Sequence, residues 1–134
     1  MIKVMIDTNI LISSALFPKG KVAKAYLKVV QPPFQPYVCD YIIEELRRKF
    51  CQKFPNKMVY LDAFLFHALQ TIKEVKTPID KLSEEEKIRD PKDRPILRAA
   101  LKENIEILLT GDKDFLEANV TNPKIMSVTD FLEL

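Results

Sequence analysis

Ile2, Val4 and Ile6 alternate with Lys3 and Met5, the period of a strand, and the run ends at Asp7. A short helical turn then carries Ile10, Leu11 and Ala15, and Pro18 and Gly20 mark the next turn. Val22, Ala23, Tyr26, Val29 and Val30 recur at helical spacing until Pro32-Pro33, which ends the pattern because the pyrrolidine ring disfavours helix before it. Tyr37-Val38-Cys39 reads as a second, short strand. Asp40 is placed to cap a helix with Ile42, Leu46 and Phe50 on its inner face. A further helix is expected from about Asn56 to Ile72, on Val59, Ala63, Phe66 and their neighbours.

The polar and acidic stretch from Thr77 to Arg89 reads as a surface connection or short helix without chemistry. A helix entered near Asp93 and Pro95 carries Ile96, Leu97, Ala100 and Leu101. A strand at Ile105 to Leu109, the turn Thr110-Gly111-Asp112 and a helix around Phe115 to Ala118 follow. Lys124-Ile125-Met126 and Val128 to Leu134 close the chain as a strand and a short helix. Alternation of strand and helix without repeats predicts an α/β sandwich around a mainly parallel sheet, and 134 residues suit a single domain over 1–134.

Composition narrows the chemistry. Gly20 and Gly111 are the only glycines, so neither glycine-rich nucleotide loop can be written. His67 is the only histidine and sits in a helical pattern between Phe66 and Ala68, a poor centre for a Ser-His-Asp triad. Cys39 and Cys51 lack metal or disulfide spacing. With no secretory leader and no apolar run fit for a bilayer, they predict a reduced, cytoplasmic setting away from membranes. The net charge of +2 hides an asymmetry: residues 1–60 carry +6 and the remainder −4, a distribution that suits a polyanionic partner but also solvated helix faces.

The remaining chemistry lies in carboxylates. Asp7 and Asp112 each follow an apolar strand, and the C-terminal strand ends of an open parallel sheet converge on the ligand crevice. Singly, each is better explained as a turn or cap residue. At ~100° per residue Glu45 lies ~60° from Ile42 around its helix and Glu44 ~160° away, so Glu45 borders the buried face. A carboxylate there is costly without a cation, although a salt-bridged surface helix with Arg47, Arg48 and Lys49 is the plainer reading. Asp90 and Asp93 stand at a helix entrance, where the dipole favours negative charge. Several carboxylates a few ångströms apart raise one another's pKa unless a cation joins them, and an all-oxygen site suits Mg²⁺ or Mn²⁺.

Four segments together, Ile6-Asp7-Thr8-Asn9-Ile10-Leu11, Glu45-Leu46, Asp90-Pro91-Lys92-Asp93 and Leu109-Thr110-Gly111-Asp112-Lys113-Asp114-Phe115-Leu116, resemble the PIN domain in order and spacing. The likeness is to the VapC-like branch in particular, toxins of toxin-antitoxin pairs, and it extends to Val128-Thr129-Asp130-Phe131-Leu132 at the end. It implies a three-layer α/β/α sandwich with a mostly parallel five-stranded sheet, Mg²⁺ or Mn²⁺ in the acidic cluster, and cleavage of RNA. It further implies a small antitoxin protein as partner, and pairing into a homodimer. Carried over by motif, Asp7, Glu45, Asp93 and Asp112 match the catalytic metal-site acids, and Asp114 an accessory acid. Thr8, Asn9 and Thr110 match polar groups that orient the site, and Asp90 is an ambiguous extra.

Lys113, the segment Lys19, Lys21 and Lys24, and the run Arg47, Arg48, Lys49, Lys53 and Lys57 are candidates to hold flanking phosphates. Two other readings stand beside the nuclease. One is a phosphatase with Asp7 as nucleophile, as in haloacid-dehalogenase-like proteins, although Asn9 stands where such a site has a second acid. The other is a nucleic-acid- or partner-binding module that does not cleave.

Overall fold

A computed structural model describes residues 1–134. Five strands, β1 (Ile2–Ile6), β2 (Phe34–Cys39), β3 (Lys73–Val75), β4 (Ile107–Leu109) and β5 (Lys124–Met126), form one sheet in the order β3-β2-β1-β4-β5. Every pairing is parallel. The helices are α1 (Thr8–Leu16), α2 (Lys21–Val29), α3 (Asp40–Lys53), α4 (Met58–Ala68), α5 (Arg94–Lys102), α6 (Lys113–Leu116) and α7 (Val128–Leu132). Val4 and Met5 point to opposite faces of the sheet and both are fully buried, so helices cover it on both sides in a three-layer α/β/α sandwich. The strand alternation seen in the sequence therefore does not mark a solvent face.

The chain starts in the middle of the sheet, builds outward through β2 and β3, then returns to add β4 and β5 on the other side. The order reverses between β1 and β4, and the crevice at their C-terminal ends is where such sheets bind ligands. Ile6 pairs with Leu109, so Asp7 and Thr110 stand level at the lip of that crevice.

α3 starts at Asp40 rather than after it. The Asp40 carboxylate accepts from the Tyr41 and Thr77 N–H groups at 2.9 and 2.8 Å and from the Thr77 hydroxyl, tying the helix start to the chain leaving β3. Ile42, Leu46 and Phe50 pack into the core as the periodicity requires. α4 reverses its predicted face: Leu61, Leu65 and Ala68 are buried, each two residues on from Val59, Ala63 and Phe66. Two residues turn a helix ~200°, and because apolar side chains ring this segment, periodicity could not fix its phase. Val59 and Phe66 are left 83% and 67% exposed. The last four residues of the expected helix, Leu69 to Ile72, are not helix: Ile72 leads directly into β3, a strand too short and polar to announce itself.

The acidic connection is also more than surface. Within a 3-10 turn at Ser83–Lys87, Glu85 is buried and receives two hydrogen bonds from Arg98 of α5, at 2.8 and 2.7 Å. Arg98 also donates to the Pro78 carbonyl at 2.9 Å. This fork clamps the connection onto α5, whose Ile96, Leu97, Ala99 and Ala100 are fully buried.

Removing one partner of a buried pair strands the other charge, so Glu85→Gln should cost about 3–5 kcal/mol in urea unfolding, and Glu85→Gln with Arg98→Met much less. The Arg98 hydrogen bond holds the Glu85 carboxyl below its ordinary 4.5. The contribution is therefore full above that value and disappears as pH falls through the lowered one. Equal losses for the single and double variants would show that the pair adds nothing.

Candidate metal centre and active site

Four segments aim acids at the crevice. β1 ends in Asp7, which is 3% exposed and caps α1 by accepting from the Thr8 N–H at 2.8 Å. Its other oxygen accepts from the Thr110 hydroxyl at 2.7 Å, and the same hydroxyl oxygen receives the Asp112 N–H at 3.0 Å. Thr110 thereby couples the end of β4 to the end of β1. The buried Thr8 hydroxyl donates to Glu45 of α3. Glu45 is 5% exposed and Glu44 open to solvent, the helix phase anticipated above.

Asp93 sits at the N-cap of α5 with a largely buried side chain, yet that side chain makes no capping hydrogen bond. An N-cap aspartate that does not cap leaves its carboxylate free to act elsewhere. Asp90 accepts from the Lys92 N–H at 3.0 Å within the preceding turn, and Asp112 caps α6 through the Asp114 N–H at 2.8 Å. One oxygen from each of Asp90, Asp93 and Asp114 lies within 4.8 Å of the others. Asp114 is additionally paired with Arg89 on the rim. Asp93 is thus common to that trio and to the set of Asp7, Glu45 and Asp112 drawn from the sequence.

Charge crowding shows in the protonation of these groups. Burial pushes Asp7 from its ordinary 3.8 up to about 6, opposed by the Thr110 and Thr8 hydrogen bonds and reinforced by the Glu45 and Asp112 charges. Burial likewise lifts Asp93 far above the carboxylate range, and the charge and hydrogen bond of Asp112, with the charges of Asp7 and Asp90, push further. The acidic ligand atoms that converge here are all carboxylate oxygens, and burial raises the pKa of two of them, Asp7 and Asp93. Such a donor set fits a hard divalent cation of the Mg²⁺ or Mn²⁺ type.

A cleft of about 600 Å³ opens over these acids, lined by Glu45, Asp90, Asp93 and Asp112 together with Tyr41, Arg48, Lys49, Gln52 and Lys92. Among the cations proposed from sequence, Arg48 and Lys49 line it. Arg47 instead turns to Asp62 of α4, and Lys21 donates to Thr129 of α7 at 2.6 Å. Lys19, Lys24 and Lys113 are exposed outside the cleft lining, and Asn9 is exposed at the start of α1. Tyr41, Gln52 and Lys92 were not singled out from sequence. The first two share the Glu45 stripe of α3, a signal that becomes readable once the helix has a defined phase. A second concavity, of about 440 Å³, lies away from the acids between α2 and α4, with Tyr26, Val30, Tyr60 and Phe64 in its largely apolar lining.

The fold and the cleft define an all-parallel α/β protein whose strand order reverses between β1 and β4, with an acid-lined crevice at that point. A PIN domain family model matches residues 3–114, and the chain belongs to that family. Solved structures share the fold. A VapBC2 complex of Rickettsia felis bound to a promoter DNA fragment aligns with a TM-score of 0.70 at 16% identity, covering 94% of this chain and 98% of that one. A DNA-bound VapBC of Salmonella typhimurium gives 0.67 at 15%, covering 96% and 99%. Mycobacterium tuberculosis VapC20, a sarcin-ricin loop cleaving toxin, gives 0.64 at 13%, covering 88% and 96%. No curated protein matches the chain in sequence.

With its pKa raised, Asp7 contributes stability below 3.8 that is lost as pH rises through about 6. A divalent cation must displace that proton at low pH and meets an ionised carboxylate at high pH. Saturating Mn²⁺ should therefore raise the melting temperature at least ~3 °C more at pH 8 than at pH 5, roughly the effect of 1 kcal/mol. Equal shifts at the two pH values, read by differential scanning fluorimetry, would count against cation binding by these acids.

Proposed function

We propose that this PIN domain is a divalent-metal-dependent endoribonuclease and the toxin component of a toxin-antitoxin pair. The observation that carries the reading is the convergence of Asp7, Glu45, Asp93 and Asp112 from four separated segments on the switch-point crevice, with the pKa values of Asp7 and Asp93 raised by burial first and by their acidic neighbours second. In this assignment the four acids hold the cation, and Asp90 and Asp114 extend the same carboxylate field around Asp93. A divalent ion bound there supplies Lewis acidity and charge neutralisation at a phosphodiester.

The chain's own groups do the positioning. Thr110 and the Thr8 N–H fix both oxygens of Asp7, and the Thr8 hydroxyl fixes Glu45. The α5 N-terminus directs its dipole at Asp93. Restricting each carboxylate to one orientation before substrate arrives lowers the reorganisation needed during reaction.

An antitoxin partner is supported by structural neighbours solved as toxin-antitoxin complexes, including one from Klebsiella pneumoniae with a TM-score of 0.64 at 22% identity. The apolar concavity between α2 and α4, with exposed Phe66 and Val59 on α4, supplies surface that a protein partner would cover.

Purified protein should cut RNA with Mg²⁺ or Mn²⁺ and stop with EDTA, and Asp7→Asn should lower the rate by about 10²-fold or more, the scale of losing a preorganised electrostatic group. Cleavage that survives both treatments would assign the activity elsewhere. On α3, Glu45→Gln should reduce the rate far more than Glu44→Gln when both variants melt like the parent protein. The reverse order would place the site on the opposite side of the helix.

A further inference from the structure

The cleft has two chemically different ends, and one helix supplies the change between them. Tyr41, Glu45, Arg48, Lys49 and Gln52 all line it from α3. Their offsets from Tyr41, of four, seven, eight and eleven residues, keep them on one stripe of a helix. At ~1.5 Å per residue, the seven residues from Glu45 to Gln52 span ~10 Å, about three nucleotides of a stacked strand at ~3.4 Å each. The stripe therefore runs from the carboxylate cluster through two cations to an amide.

Neighbouring cations on the same helix face elsewhere. Arg47 is paired with Asp62 of α4, so the two consecutive arginines have separate assignments, one across the α3–α4 contact and one at the cleft. Lys49 Nζ lies 4.0 Å from Glu45, at the boundary of the acidic and basic ends. Across the cleft, Tyr41 donates its hydroxyl to the Lys92 carbonyl, which ties the start of the stripe to the Asp90–Asp93 turn. Burial and the Glu45 charge raise the Tyr41 pKa, keeping that donor protonated.

We infer that Arg48, Lys49 and Gln52 form the substrate-positioning wall of this site, holding the phosphates that flank the scissile one on a single RNA strand. The inference rests on the nuclease reading and assigns a role that reading leaves open. A guanidinium presents a fork that matches phosphate oxygens, an ammonium adds a mobile point charge, and the Gln52 amide donates without charge. Contacts of this kind set register on a strand and carry no base sequence, so the wall selects for a polyanion and leaves target choice to other surfaces.

The test is binding of a fluorescent single-stranded RNA oligonucleotide to Asp7→Asn protein with Mg²⁺ across a salt series, alone and with Arg48→Gln, Lys49→Gln or Arg47→Gln added. Losing one phosphate contact lowers the magnitude of the slope of log K against log salt by about 0.7 for a single strand. Arg48→Gln and Lys49→Gln should each show that loss, Arg47→Gln should keep the parent slope, and Arg48→Lys should restore most of it. In the active protein, Arg48→Gln should raise KM severalfold with kcat nearly unchanged. Equal slope changes for Arg47→Gln and Arg48→Gln would reduce the effect to net charge and overturn the wall, as would unchanged slopes or no binding by the parent. Metal-dependent cleavage together with unchanged slopes would sink the wall alone. Correct slopes without any cleavage by wild type would keep the wall and sink the nuclease.

Discussion

A negative charge at the end of a fully buried strand is the condition to which the rest of this molecule answers. Asp7 follows three residues with no solvent exposure, and its carboxylate is itself 3% exposed. Ionised, it needs compensation that the sheet cannot offer. The Thr8 N–H and Thr110 hydroxyl provide two donors, but Glu45 and Asp112 bring more negative charge, so burial dominates and the proton is retained up to about pH 6. Under the proposed function, a bound cation would supply the missing compensation.

The parallel sheet makes that meeting of acids possible. Asp7 and Asp112 are 105 positions apart in the chain, yet adjacent strands bring β1 and β4 into register at Ile6 and Leu109. α3 contributes differently. Its Ile42, Leu46 and Phe50 lock one face into the core, which fixes the direction of Glu45 and of the cleft-lining stripe on the adjoining flank. A site on a helix anchored by three fully packed side chains loses little precision to motion. The clamp of Glu85 on Arg98 serves the same end for α5, because it steadies the chain just before the Asp90–Asp93 turn.

Much of this was legible in residues 1–46 and 90–116, where strand, turn and helix signals agree with one another. Ile2 to Ile6, the Pro32-Pro33 stop and the Ala/Leu pattern after Pro95 each place an element close to where it occurs. Glu45 was separable from Glu44 because Ile42, Leu46 and Phe50 fix the phase of α3. The helix of α4 was legible but its buried face was not, since a segment apolar on all sides gives periodicity nothing to distinguish, and burial is then decided by the neighbours it packs against. β3 was hidden because Lys73-Glu74-Val75 becomes a strand only through pairing with β2. Glu85 looked like one of three equivalent surface acids, and only the distant Arg98 distinguishes it. For the same reason the split between Arg47 and Arg48 could not be read from a run of cations.

The charge balance of the cleft explains why neither a cation nor the basic stripe suffices alone for a polyanionic ligand. Glu45, Asp90, Asp93 and Asp112 line it against Arg48, Lys49 and Lys92, with Asp7 and Asp114 close behind through their coupling to Asp93 and Asp112. Like charges at such separations repel by several kcal/mol at an effective dielectric of ~20, so a phosphate facing the bare acids is turned away. A divalent cation reverses the sign locally but gives no direction to a strand. Cations spaced along α3 give direction, yet by themselves they would hold the strand beside the acids rather than over them. Glu45 and the stretch from Arg48 to Gln52 occupy consecutive turns of one helix, and under the proposed function that continuity would set the distance between the neutralised charge and the held strand.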